Sequence, residues 1–412
     1  LAIGCWLFLP EVFMRIFTCI SAGLTVFLGL NIFIALTPHQ ARAEDILLGS
    51  INSLTGRLSV QGQAVQKGVE YAVAEANQKK LIPGKTIKLI SRDDQGRPEQ
   101  ALAAAEELLA KQQVMALVGG YVDSLVGPIS GVAEKYRRPY LAAASLDERL
   151  TARGYKYFFR ISSLVSYVES TTNLALSLGI KKVGILYSST PGASQLAQKQ
   201  KELLAAKGIT IAPFEMFNTG LSDFSPLLAK IKQAQTELLL FNGFFADNLQ
   251  VLRQIKEQDL HLKYFLGVFA MEFPQVISQL GNLAEGAMGT TSWEPGITYP
   301  GTEKWAQEYM VGFTKRYGVS PDPLTMHGYT SARAVIEALA ALEKKGQKLT
   351  AETLRQELSQ MDKIFPLERL RFNDRGEPLH YERLVIQIQK GQHRLVFPPG
   401  RAETTIVPLG GK

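Results

Sequence analysis

Few residues in this chain have the type and spacing that catalysis needs. Asp93-Asp94 is a candidate acid/base pair, because neighbouring carboxyls can divide the roles of proton donor and acceptor. The run Asp93-Asp94-Gln95-Gly96-Arg97-Pro98, however, closes an apolar segment and opens a helical one. Carboxylates there complement the positive end of a helix. His261, His327, His380 and His393 are far apart and lack ligand spacing, so no metal site is expected. There is no phosphate-cradling Gly-Lys-Ser/Thr loop, no dinucleotide fingerprint, no nucleophile elbow and no His-Glu-x-x-His pair. The basic pairs Lys79-Lys80, Arg137-Arg138, Lys181-Lys182 and Lys344-Lys345 sit near helix ends, not in a stripe interleaved with aromatics, so nucleic acid is not an expected partner. These residues give no catalytic, metal or cofactor constellation, so an enzyme is not expected.

The segments that must position any site alternate. Ile46–Ser50, Ile87–Arg92, Val114–Gly119 and Pro139–Ala142 read as strands. Between them lie helical stripes over Gln63–Asn77, Glu99–Lys111 and Leu125–Tyr136. After Arg160 the rhythm restarts. Strands are expected at Val183–Tyr187, Ile209–Phe214, Leu238–Phe241, Tyr264–Gly267 and Met288–Thr291. Helices are expected at Val165–Leu178, Ala193–Lys207, Phe224–Ala234 and Asn248–Gln258. Two long helical patterns (Thr302–Tyr317, Thr325–Lys344), a shorter one (Ala351–Ser359) and a hairpin about Lys390-Gly391-Gln392 complete the chain. This is an α/β fold of two Rossmann-like lobes, each a mostly parallel sheet flanked by helices.

Length and composition agree. The chain has 412 residues, 46% hydrophobic and 20% charged, with a scattered net charge of +7. At about 150 residues per domain this suggests two or three domains and excludes a disordered chain or multi-span membrane protein. Ile16–Leu36 is an uncharged apolar run of 21 residues. Such a run suits a membrane anchor or a secretory leader. Met14-Arg15 before it and Ala41-Arg42-Ala43 after it favour a cleaved signal peptide over residues 1–43, with Met14 as the true start. Both cysteines, Cys5 and Cys19, fall in that stretch, which excludes a disulfide scaffold and a thiol nucleophile in the exported chain.

In open α/β sheets ligands collect beyond the carboxyl ends of the strands. In the first lobe those places are Asn52–Gly62, Gly119–Ser124 and Ala142–Asp147, small and rich in hydroxyls. In the second they are Ser188–Ala193, Asn242–Asp247 and Val268–Glu272, with Phe244, Phe245 and Phe269. Adjacent Phe residues on a strand point to opposite faces, so Phe244 and Phe245 are not expected to share one cleft.

From about Ile46 to Phe397 the chain resembles the type I periplasmic substrate-binding proteins of branched-chain amino acid ABC transporters. The resemblance lies in the order of several short elements: Leu54-Thr55-Gly56 followed by Gly62, Gly68 and Ala76-Asn77; the Asp93–Pro98 run with Ala101 to Leu109; Asp223-Phe224-Ser225-Pro226-Leu227-Leu228; and Gly328-Tyr329, Ala332-Arg333 and Glu337-Ala338-Leu339. It implies two lobes joined by a three-crossing hinge, here 44–162 with 292–365 and 163–291 with 366–412. It also implies a periplasmic monomer that closes on a small-molecule ligand and presents it to ABC transporter permease subunits; the alternative is a sensor subunit signalling to a membrane receptor. Carried over by position, Ser124 is the hydroxyl receiving a ligand carboxylate, and Ala144-Ser145 the backbone meeting carboxylate and amine. Gln61, Leu146 and Phe245 occupy further ligand positions but depart from the family's usual residues, as does Gly192, where a Tyr is common. Phe269 stands where amino-acid binders place an acid. A buried ammonium without a countercharge is disfavoured, so the expected ligand is not a standard α-amino acid unless Asp123, Asp247 or Glu272 supplies the charge.

Overall fold

The computed structural model describes residues 44–379 and 382–410. The leader read over residues 1–43 lies outside the described residues, as does His380. Strands β1 (Glu44–Asn52), β2 (Lys85–Asp93), β3 (Ala116–Gly119), β4 (Tyr140–Ala142) and β5 (Phe158–Arg160) form one all-parallel sheet in the order β2-β1-β3-β4-β5. Their connecting helices are α1 (Ser59–Gln78), α2 (Pro98–Glu106), α3 (Asp123–Lys135) and the short α4 (Glu148–Thr151). The sequence rhythm misses β5, whose three residues are too short to show a period.

The chain then builds α5 (Leu164–Ser177), β6 (Lys182–Ser188), α6 (Pro191–Ala206), β7 (Thr210–Phe217), α7 (Ser225–Ala234), β8 (Leu238–Asn242), α8 (Phe245–Glu257), β9 (Tyr264–Gly267), α9 (Pro274–Leu280) and β10 (Met288–Thr291). Helices α10 (Glu303–Tyr317), α11 (Pro323–Lys344) and α12 (Ala351–Ser359) follow, then β11 (Asp362–Ile364), β12 (Arg369–Arg371), β13 (Leu384–Gln389) and β14 (Gln392–Phe397). The second sheet has the order β14-β13-β10-β9-β8-β6-β7 and is parallel except where β13 and β14 join it. Every residue of β8 is buried, which is why it reads as an unbroken apolar run.

The late helix α11 lies against α1 at a distance only glycine permits. A Cβ on Gly68 would fall 1.9 Å from the Thr325 carbonyl oxygen, and one on Gly328 would fall 2.0 Å from that of Val65. Beside this crossing Glu75 accepts hydrogen bonds from Tyr329 (2.6 Å) and Arg333 (2.5 Å), so its buried carboxylate is paired.

One boundary differs from the sequence reading, which assigns everything after 365 to the second lobe. The Arg160 N–H of β5 donates to the Gly376 carbonyl (3.0 Å), and the Arg160 guanidinium pairs with Glu377 (2.7 Å). The stretch around Asn373–Glu377 is therefore bound to the edge of the first sheet. Backbone pairing at a sheet edge leaves no hydrophobic period to read.

Candidate ligand-binding cleft

The carboxyl ends of both sheets face a shared cavity of about 550 Å³. Its first wall starts with Gly119 and Gly120, both at positive φ (+92° and +88°). A Cβ on Gly120 would lie 2.2 Å from the Tyr140 hydroxyl, so only glycine allows this turn. The Gly120 N–H donates to Asn52 Oδ1 (2.8 Å), and the chain then delivers Tyr121, Val122 and Asp123 to the cavity. Asp123 accepts from the backbone N–H groups of Leu146 (2.7 Å) and Asp147 (2.8 Å). It thereby ties the loop after β3 to the loop after β4, which supplies Ala144, Ser145 and Leu146. Burial raises the Asp123 carboxyl above its usual range, against the opposing pull of those two donors and of Arg160. Ser145 Oγ is buried and makes no hydrogen bond within the protein.

The second wall is aromatic. Phe244 and Phe269 stack at 5.7 Å between centroids. Tyr121 meets Phe244 edge-on at 6.0 Å, and Tyr167 meets Phe269 at 5.7 Å, so four rings run across the cleft. The Arg383 guanidinium lies 3.6 Å from the centre of the Tyr167 ring, a cation–π contact. Glu272 closes this end; burial pushes its carboxyl up to about 8, although Arg383 draws it down. His327 is pushed down to about 3, chiefly by burial and then by Arg383. Its Nδ1 is 2.8 Å from the Ala143 carbonyl, which can only accept, so Nδ1 carries the proton and Nε2 accepts from Ser292 Oγ (2.8 Å). It is a neutral brace between the first wall and the end of β10.

The walls touch outside the cavity as well. Arg57, in the loop after β1, pairs with Asp247 of α8. Gln195 Nε2 donates to Asp147 Oδ1 (2.6 Å), and Lys199 pairs with Glu148 (2.9 Å). A Cβ on Gly192 would sit 2.0 Å from Asp123 Oδ2, so the carboxylate fills the place of a side chain at 192. The conformation is closed.

Of the residues expected at the site, Ala144, Ser145, Leu146 and Phe269 line the cavity. Ser124, Gln61 and Phe245 stand outside its lining. Helix α3 begins at Asp123, two residues earlier than its apolar stripe suggests, so Asp123 faces the cleft and Ser124 turns from it. Gln61 is wholly buried in α1. Phe245 packs on Phe273 in the core. Phe244 takes the cleft instead, because the strand ends at Asn242 and the two rings flank a helix start, where strand alternation no longer applies. The premise that excluded an α-amino acid also changes: Asp123 and Glu272 both line the cavity, while Asp247 is engaged by Arg57. Tyr167, Ser292, His327 and Arg383 escaped sequence reasoning, since nothing local marks a residue that reaches the cleft from a distant segment, whereas Thr190 lies in the Ser188–Ala193 stretch expected there. Among the described residues, no group of three or more His, Cys, Asp or Glu side chains is placed to hold a metal ion.

The periplasmic binding protein family model matches residues 45–380. The chain belongs to the periplasmic binding protein family. It is 25% identical over 350 residues to Leu/Ile/Val-binding protein homolog 2 of Brucella abortus, covering 84% of this chain and 91% of the relative. A branched-chain amino acid transporter substrate-binding protein from Streptococcus pneumoniae, solved with isoleucine, shares the fold with a TM-score of 0.76 at 20% identity, covering 86% of this chain and 100% of that one. An ABC transporter solute-binding protein from Rhodopseudomonas palustris, solved with 3,4-dihydroxybenzoic acid, gives 0.75 at 20% identity, covering 88% and 98%. This periplasmic binding protein has the relatives' two-lobed α/β architecture.

Proposed function

We propose that this protein is exported to the periplasm by its N-terminal leader, closes on a small organic ligand bearing a carboxylate or amide, and delivers it to an ABC permease. The observation that carries the reading is the closed cavity: one guanidinium, buried hydroxyls and four aromatic rings converge at the carboxyl ends of two sheets. Arg383 puts positive charge in the lining, which favours an anionic or polar group, and the buried Ser145 Oγ offers a hydrogen bond. The rings suit a flat or apolar body. Neighbours of this fold hold isoleucine in one case and a dihydroxybenzoate in another, so the scaffold tolerates both kinds of guest. The lobes are taken as 44–162 with 292–377, and 163–291 with 382–410; the third crossing falls after Glu377 because that residue is paired with Arg160. Closure converts binding energy into a shape that a permease can recognise.

A thermal-shift screen of amino acids, their amides and aliphatic and aromatic carboxylates tests this, with hits followed by small-angle scattering. A hit should raise the melting temperature and reduce the radius of gyration. A screen in which no compound does both refutes the reading. Any clear shift with leucine, isoleucine or valine refutes the narrower expectation that the ligand is not a standard α-amino acid.

A further inference from the structure

Outside the cleft, a chamber of about 630 Å³ is walled by segments tied to both sheets. Glu272 and Pro274 follow β9, and Glu294, Pro295 and Ile297 follow β10. Ile386, His393 and Leu395 come from β13 and β14. Ser320, Pro321 and Asp322 lead into α11, the helix packed on α1. Glu403 completes the lining, and its N–H donates to the Leu395 carbonyl (2.8 Å), which holds the tail against β14. Pro274, Pro295, Ser320 and Glu403 are exposed, so the chamber is reached from solvent and needs no route through the cleft.

Acidity alone would not make this a site. Asp322 serves the fold, since it caps α11 by accepting from the Thr325 N–H (2.8 Å). Glu272 and Glu294 have no such account. They are 7% and 8% exposed, and Glu272 Oε2 and Glu294 Oε1 are buried without a hydrogen bond in the protein. Among the described residues, no lysine or arginine lines the chamber, so nothing in its walls answers these oxygens with positive charge. A metal ion does not fit, because among the described residues no three such side chains are placed to hold one. An aliphatic ammonium does fit. Its three N–H donors can meet separated carboxyl oxygens, and its hydrocarbon can lie on Pro274, Pro295, Ile297, Pro321, Ile386 and Leu395.

We propose that this chamber is a second ligand site, distinct from the cleft, which takes a short aliphatic ammonium with its charged head against Glu294 and Glu272. A second ammonium at the other end of the chain meets Glu403 at the exposed rim, so a diammonium is held more tightly than a monoammonium. The guest of the cleft takes no part. Proton linkage supports the assignment. Burial raises Glu272 to about 8 and Glu294 well above its ordinary value, the latter raised further by Glu272, Asp322 and Glu403. Burial also raises Asp322 to about 6. From outside the lining, Arg383 draws Glu272 down and Lys67 draws Asp322 down. His393, 3.9 Å from Glu294, is pushed down to about 4 by burial and is neutral near pH 7. An ammonium arriving near neutral pH therefore displaces a proton from this cluster.

The test is calorimetry on the full protein with linear primary amines, α,ω-diamines and alcohols of matched length, roughly four to six carbons to suit a chamber of this size. An amine should bind at least about tenfold tighter than its alcohol, and the diamine at least about threefold tighter than the monoamine. Buffers of different ionisation enthalpy should show proton release, and amine affinity should rise between about pH 6 and about pH 8.5. Glu294 lines this chamber and not the cleft. Glu294→Gln should weaken both amines at least about tenfold, with its melting curve as the check on folding. Glu403→Gln, a change at the exposed rim, should leave the melting temperature and the monoamine affinity within about twofold while erasing the advantage of the diamine. Amines that bind no better than alcohols, an amine affinity that survives Glu294→Gln, or a diamine advantage that survives Glu403→Gln overturns the proposal and marks the chamber as a structural void. None of these results touches the cleft reading, which the ligand screen decides by itself.

Discussion

The Arg57–Asp247 pair should act as a latch on the closed state. Asp247 is fully buried there, and burial raises its carboxyl above the usual range before Arg57 pulls it back. The same carboxylate accepts from the Phe244 N–H (3.0 Å), so it fixes the helix start that aims Phe244 into the cleft. Arg57 comes from the opposite wall, and its guanidinium lies against the Gly220 turn. A charge-assisted hydrogen bond is worth about 1.5–3 kcal/mol. Arg57 keeps 41% of its side chain in solvent, so screening trims the contribution to about 1–2 kcal/mol. Arg57→Gln should therefore shift the closed-to-open ratio, and with it ligand affinity, by roughly 5- to 30-fold. Asp247 and its helix cap stay in place, so the melting temperature of the ligand-free protein should move little. Calorimetry with a ligand from the screen measures the loss, and small-angle scattering measures the open fraction. Wild-type affinity should also weaken from about 0.05 to about 0.5 M salt, and the variant should respond less. An affinity within twofold of wild type, with unchanged salt dependence, would show that the pair only decorates the surface.

Other expectations concern packing and pH. Gly192→Val should block closure, because its Cβ falls on the Asp123 carboxylate; ligand affinity should drop at least about tenfold while urea unfolding of the free protein is unchanged. Gly328→Ala, with a Cβ 2.0 Å from the Val65 carbonyl oxygen, should cost about 1–3 kcal/mol or more in urea unfolding by prising α11 off α1, and an unchanged midpoint would refute that crossing. Glu272 has a folded value of about 8 against an ordinary 4.5, so its contribution to stability is present below 4.5 and lost as pH rises through 8. Glu272→Gln should therefore melt above wild type at about pH 8.5, with the gap shrinking toward about pH 5; a constant gap would refute the burial of that carboxyl.

How far the sequence reached depended on the kind of signal. Helix and strand alternation was legible because two-faced parallel sheets demand apolar runs such as Leu238–Phe241 and stripes such as Val65, Val69 and Val73. The glycines of the resemblance were visible as residues, yet their reason was not: Gly68 and Gly328 matter because two helices meet there, and Gly192 because Asp123 reaches across the cleft. The loops after β3 and β4 were located from topology alone, and Ala144, Ser145 and Leu146 came with them.

Local order determined which loops would face a ligand; tertiary structure decided which side chains did. Helix α3 starts at Asp123, and α8 follows directly after Phe244, so a shift of one residue exchanges Ser124 for Asp123 and Phe245 for Phe244. Periodicity fixes a helix's buried face but not its first residue, which capping and the opposite wall select. Tyr167, His327 and Arg383 reach the cleft from segments far apart in the chain. Their charge and ring chemistry acquire meaning only when folding buries them beside Glu272 and Phe269, since neither proximity nor desolvation is a property of sequence spacing.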